Sequence, residues 1–332
     1  MKPLFRLDFL RNALPVAATA LVLGSGLADR AQAQVTAFKQ AIAEAASTDE
    51  AVAAFYRENN YQAIWTGEDD RPRRAALINA MRGVGVHGLP EERHDINALM
   101  TQMAGVRTTR DMGMVEVALS KAFLRYAKDV QTGMLKPSSI DEGIAREVPL
   151  RDGNLYLSEF AVSDPLSYIR DLLPATAEYR ALLKEKLRLE HILAGGGWGP
   201  NIPSAKLEPG DQGEAVVALR NRLIVMGYLG RSASRTYDDA LVKAVQKFQL
   251  AHGLEPDGVA GNGTISQINV PVEKRLRSVI VAMERERWMT RDRGERHILV
   301  NQTDFTAKIV DHGLVTFQTR SVIGKNTSDR RS

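Results

Sequence analysis

The 332-residue chain contains no cysteine. That absence excludes disulfides, and it excludes a thiolate nucleophile from these residues. A strong charge bias is missing too. The formal net charge is +4, and Lys2, Arg6, Arg11 and Arg30, with Asp8 and Asp29, all precede residue 34. Beyond them lie 40 of the 44 basic and 38 of the 40 acidic residues, too even a balance to argue for nucleic acid. Long apolar runs are absent as well. Ala13 to Leu27 is interrupted by Pro15, Gly24 and Gly26. It falls short of the ~20 apolar residues that a membrane-spanning helix needs. No later segment is apolar enough to span a bilayer.

Motifs for other nucleophiles and for metals are missing. Neither Ser-x-x-Lys nor Gly-x-Ser-x-Gly occurs, and Ser328 and Ser332 lie in a polar tail. The six histidines (His87, His94, His191, His252, His297 and His312) lack His-x-x-x-His or His-Glu-x-x-His spacing. No metal and no cofactor is expected. The pairs Asp69-Asp70, Glu91-Glu92 and Asp238-Asp239 fall at turns or helix starts, where capping is the commoner role than a glycosidase dyad.

What is present begins with an export signal. Lys2, Arg6 and Arg11 precede the short apolar run, and Ala31-Gln32-Ala33 supplies a small-x-small cleavage site. Cleavage after Ala33 and export to the periplasm are expected. Residues 34 to about 200 read as mostly helical. Thr48-Asp49-Glu50 caps a helix, Phe55 to Gly67 is an aromatic-dense bend, and Arg73 to Met81 is helical. His87-Gly88-Leu89-Pro90 is a turn. Val115 to Val130 and Ala177 to Leu193 are strong helices, and Gly195 to Pro200 is a glycine-rich linker containing Trp198.

The stretch Leu207 to Asn269 has the clearest internal order. Gly210-Asp211-Gln212-Gly213 is a turn, and Val216, Leu219 and Leu223 form a helical stripe ended by Gly227-Tyr228. Leu241, Ala244, Val245 and Phe248 form a second stripe, closed by His252-Gly253. Pro256-Asp257-Gly258 is a turn, and a short third segment, Thr264 to Ile268, finishes the unit. Together with Gln249, Leu254 and Gly261, these residues resemble the peptidoglycan-binding domain of bacterial cell-wall hydrolases and transpeptidases. The resemblance implies a three-helix fold and binding of glycan strands or stem peptides. Most of the matching residues are core or turn positions, so they identify the fold more firmly than the contact surface. Arg222, Tyr228, Gln249 and His252 are the candidate binding residues.

The first half is similar to the helical scaffold of the large murein L,D-transpeptidases of Gram-negative envelopes. Phe55-Tyr56 with Tyr61 and Trp65, His87 to Pro90, Tyr126 with Gly133 and Pro137, and Pro174 with Tyr179 carry that similarity. In that family the binding domain is inserted into the scaffold, which resumes as a helix. Glu273 to Trp288, with Leu276, Ile280, Met283 and Arg287 on one face, fits the returning helix. From His297 the pattern changes to strands: His297 to Val300, Phe305 to Val310, a turn at Asp311-His312-Gly313, and Leu314 to Ile323. Val300-Asn301 and Val322-Ile323-Gly324-Lys325 resemble the opening of the family's catalytic domain.

The expected architecture is therefore mainly α. A signal peptide (1–33) precedes a helical scaffold (34–203) and a peptidoglycan-binding domain (204–270). A returning helix and linker (271–295) then lead to the first strands of an incomplete β-rich catalytic domain (296–332). The family forms cross-links through a cysteine acyl-enzyme assisted by a histidine. No residue here matches that histidine and cysteine motif, so no catalytic residue is assigned, and the sequence is expected to be a truncated record. The alternative is a short, non-catalytic exported protein that binds peptidoglycan or acts as a scaffold. Expected partners are peptidoglycan and other cell-wall synthases.

Overall fold

The computed structural model describes residues 34–144, 146–203, 206–289, 293–302 and 305–322. The export signal and Ile323-Gly324-Lys325 lie outside the described residues. Within them, no helix is long and apolar enough to cross a membrane. The chain is mainly helical, with one small antiparallel sheet, and its contacts divide it into two units.

The first unit takes residues 34–134 and 149–173. It holds α1 (34–46), α2 (Glu50–Glu58), α3 (Arg71–Arg82), α4 (Ile96–Ala104) and α5 (Thr109–Thr132), then, beyond residue 148, Gly153–Val162 and Pro165–Asp171. Local chemistry sets the starts. Asp49 accepts from Val52 N, and Thr108 with Asp111 forms a capping box that opens α5. Gly113 lets α5 approach α1, since a Cβ there would lie 2.7 Å from Ala41 Cβ. Trp65, Phe123 and Phe160 form the aromatic centre, Phe123 and Phe160 stacking at 4.4 Å.

That bend is held by a buried carboxylate. Glu116 accepts from the backbone N–H of Ile64 (2.6 Å), Trp65 (3.1 Å) and Thr66 (2.8 Å). It also accepts from Thr66 Oγ1 (2.8 Å) and the Tyr56 hydroxyl (2.9 Å). Five donors on one carboxylate fix a loop that has no regular backbone partners of its own.

The second unit takes residues 135–148 and 174–322. After α6 (Pro137–Ile140), the helices Gly153–Val162 and Pro165–Asp171 of the first unit are α7 and α8. Then come α9 (Ala177–Ala194), α10 (Glu214–Met226), α11 (Asp239–Ala251), α12 (Asn262–Ile268) and α13 (Val272–Arg287). Helices α9 and α13 run antiparallel: Arg287 Nη2 donates to the Tyr179 hydroxyl at one end (3.2 Å), while Gly197 approaches Val272 at the other. Buried Arg287 pairs with Glu284 (3.2 Å), which also accepts from Leu135 N (2.9 Å).

Helix α9, within the expected scaffold, packs on the returning helix α13, and both fall in the second unit. One apolar core runs through Leu189, Trp198, Ile202, Leu219, Phe248 and Val272, so the stretch from Leu207 to Asn269 shares its core with both flanking segments. The glycine-rich turn holds Trp198 inside that core. Helices α4, α7 and α8 were not separately anticipated. They are short, at nine, ten and seven residues, too little for a clear periodic stripe.

The sheet has the order β1 (Arg296–Asn301), β2 (Thr306–Asp311), β3 (Leu314–Arg320), antiparallel throughout. The expected turn narrows to His312-Gly313, with φ of 48° and 78°. Both values suit a two-residue hairpin whose twist matches the strands.

Candidate functional site

Three helices and two short bridges build the module around α10 to α12. Leu207 pairs with Ala260, and Gln212 with Thr236, tying the loops before α10 to those around α11. Tyr237 donates its hydroxyl to Gly258 O (2.7 Å). Gly258 has φ +75°, and a Cβ there would meet Val242 Cγ1 at 2.8 Å, so this turn requires glycine. Asp238 caps α11 and pairs with buried Arg220 (2.9 Å). That guanidinium, with the Leu241 N–H, holds the Asp238 carboxyl down at about 2.

The four candidate binding residues separate into two pairs. Arg222 is 4% exposed and donates to the carbonyls of Ile268 (2.9 Å), Gly199 (3.1 Å) and Pro200 (2.6 Å). Gln249 is 2% exposed. It donates to Asp257 (2.7 Å), Val259 O (3.0 Å) and Thr264 (3.2 Å), and accepts from Gly258 N (2.9 Å). These two side chains close the module from inside, and neither forms part of an outer surface. A long polar side chain on a helix reads as surface until its loop partners are known.

Tyr228 and His252 are half-buried and adjacent. Both pack on Phe248, at ring distances of 5.3 Å and 4.1 Å. The Tyr228 hydroxyl lies 3.4 Å from His252 Nε2, and Arg275 Nη1 lies 3.4 Å from His252 Nδ1. A guanidinium can only donate, so Nδ1 is the acceptor and the ring proton sits on Nε2, directed at the Tyr228 oxygen. Burial, with Arg275 adding to it, holds the imidazole neutral and drops its pKa to about 4.

Beside this pair runs a cleft of about 420 Å³. It is lined by His252, by Gln267 and Val270 after α11, by Lys274, Arg275, Ser278 and Val279 of α13, and by Glu185 and Leu189 of α9. Arg275 also donates to Gln267 O (2.6 Å) and lies 6.0 Å over the Trp198 ring. Sequence reading overlooked Arg275. Its position three residues after buried Val272, on the inward side of α13, was the available signal.

The remaining histidines occupy separate places. His94 is buried 3.3 Å from Asp129, His297 lies 3.2 Å from Gly294 O, and His312 is in the hairpin turn, 3.6 Å from Glu295. Among the described residues no group of three His, Asp or Glu side chains has a metal-holding arrangement.

Two family models match this chain. One, described as a scaffold domain, matches residues 50–186. The other, described as "Putative peptidoglycan binding domain", matches residues 212–268, the span from the turn before α10 to the end of α12. The chain is also similar to the "Uncharacterized protein in bpoA1 3'region" of Kitasatospora aureofaciens, 35% identical over 75 residues. That alignment covers 22% of this chain and 62% of the relative, so the chain spans less than two thirds of the relative's length. Along the chain, a match to a scaffold domain is thus followed by a match to a peptidoglycan-binding domain.

Proposed function

We propose that this is an exported, periplasmic protein of the murein L,D-transpeptidase group, whose second unit holds peptidoglycan. The observation that carries this reading is an arrangement. A peptidoglycan-binding module lies between two helices, α9 and α13, that pack on each other as one antiparallel pair. A module inserted in that way belongs to a scaffold, because both ends of the insertion return to the same place. The preceding residues match a scaffold domain, which is typical of that group.

The role of these 332 residues is binding and positioning. They contain no cysteine, so no thioester forms on them. A cysteine nucleophile for cross-linking has to be supplied from outside this sequence.

Purified residues 34–332, incubated with isolated sacculi and centrifuged, are expected to sediment at moderate salt. A folded protein that stays in the supernatant sinks the reading. With tetrapeptide-bearing muropeptides, mass spectrometry is expected to find no cross-linked dimers and no released D-alanine. Dimers would overturn the assignment of a purely binding role. Intact mass of the periplasmic product, expected to begin at Gln34, tests export.

A further inference from the structure

The cleft beside His252 carries two cationic side chains without acidic partners. Lys274 is exposed, and its ammonium makes no hydrogen bond or ion pair among the described residues. Arg275 is half-buried and bonds a carbonyl, an imidazole nitrogen and a ring face, but no carboxylate among the described residues. Removing a guanidinium from water without an opposing charge is costly, and a ligand anion offsets that cost. The one acid of the cleft, Glu185, is already engaged by Arg188 through two bonds of 2.8 Å and 2.7 Å.

The polar chain behind the cleft has a direction. Arg275 donates to His252, and His252 donates to the Tyr228 oxygen, leaving the phenol proton for an outside acceptor. Burial pushes the Tyr228 pKa up, so that proton is retained. The cationic donors that line the cleft, Lys274 and Arg275, are neighbours on α13. The apolar lining, Leu189, Val270 and Val279, is aliphatic. Trp198 offers no open face for a sugar to stack on, since it is buried and its ring lies under Arg275.

We infer that this cleft is the peptidoglycan contact of the second unit, and that it takes the carboxylate-bearing end of a stem peptide. Lys274 and Arg275 receive the carboxylate, and the aliphatic wall receives alanine methyls. The volume suits a few peptide residues and falls within the usual range for ligand sites. Glycan strands, which carry few charges and need stacking, are the poorer fit. The inference rests on the peptidoglycan-binding reading and adds the place and the chemistry.

The test uses residues 34–332 and three probes: a synthetic stem tetrapeptide with a free D-alanine carboxylate, the same peptide as its C-terminal amide, and a peptide-free glycan oligomer. Calorimetric titration is expected to show the acid binding at least about tenfold more tightly than the amide, and the glycan not at all. Lys274→Glu alters a side chain with no internal bonds and is expected to weaken the acid about tenfold while keeping the wild-type Tm. Arg275→Gln is expected to weaken it further. Acid and amide binding equally, glycan binding alone, or an unchanged Lys274→Glu would each overturn the inference. Two failures are distinguishable by sacculus sedimentation. Sedimentation without peptide binding removes the cleft and keeps the polymer reading. Peptide binding without sedimentation keeps the cleft and removes the polymer reading. Absence of both removes both.

Discussion

The three-helix module and the three-stranded sheet lie in the same unit and were both visible as apolar patterns, yet they end up opposite in burial. Phe248 on α11 is fully enclosed, at 0% exposure, whereas Phe317 on β3 is 55% exposed and Leu314 is 71% exposed. Of the strand residues, only Val310 is buried. The helices have partners on every apolar stripe, including α9 and α13. The sheet residues have cross-strand neighbours but no second layer over them among the described residues. An apolar pattern thus records what an element is able to bury. Burial itself needs another surface.

The comparison can be broken most directly with a matched pair of truncations. Phe248→Ala should cost roughly 3–5 kcal/mol and unfold the second unit's core, while Phe317→Ala should cost less than about 0.5 kcal/mol. Chemical denaturation followed by tryptophan fluorescence reads both. Equal costs would mean that the sheet is covered in solution.

A second measurement tests where the module's core ends. Residues 206–270 alone lose Leu189, Trp198, Ile202 and Val272, which complete the apolar cluster. They should therefore melt well below a chain of residues 174–289 that retains α9 and α13. A module with the same melting temperature in both contexts would show that the flanking helices add nothing to it. Gln249→Ala, which leaves the Gly258 N–H and the Asp257 carboxylate without their inner partner, should cost about 1–3 kcal/mol.

Acid provides a smaller test. The folded pKa of His252, about 4, lies below the ordinary value of 6.5, so the neutral ring contributes stability above pH 6.5. That contribution is lost as pH falls from 6.5 toward 4. The melting temperature of the second unit should decline over this window, and His252→Gln should flatten the decline. An identical pH profile in the variant would remove His252 from the account. Hydrogen exchange gives the finest contrast: amides of β3 should exchange faster than those of α10 and α11, because an open sheet edge opens locally at little cost.

The sequence was sufficient for the helical class, the module and most of its turns. Those features depend on spacing within about twenty residues: the stripe at Val216, Leu219 and Leu223, the glycine at Gly227, and the Pro256-Asp257-Gly258 turn. The strands were legible for the same reason, the first two to within a residue at their ends, whereas the third stops at Arg320 instead of running on to Ile323. The candidate surface was legible only in part: Tyr228 and His252 were singled out, whereas Lys274 and Arg275 were not. Arg222 and Gln249 look like surface groups on their own helices, and only packing against residues 199–200 and 257–264 turns them into internal ties. The pairing of α9 with α13 was also decided by tertiary structure, since it joins residues about a hundred positions apart. Arg275 and Lys274 are neighbours on α13, whereas Tyr228 follows α10 and His252 closes α11, segments with no shared local pattern. Sequence periodicity reports which face of each element is apolar, while the site arises where polar edges of separate elements are brought together, and that meeting is fixed only by the packed core beneath them.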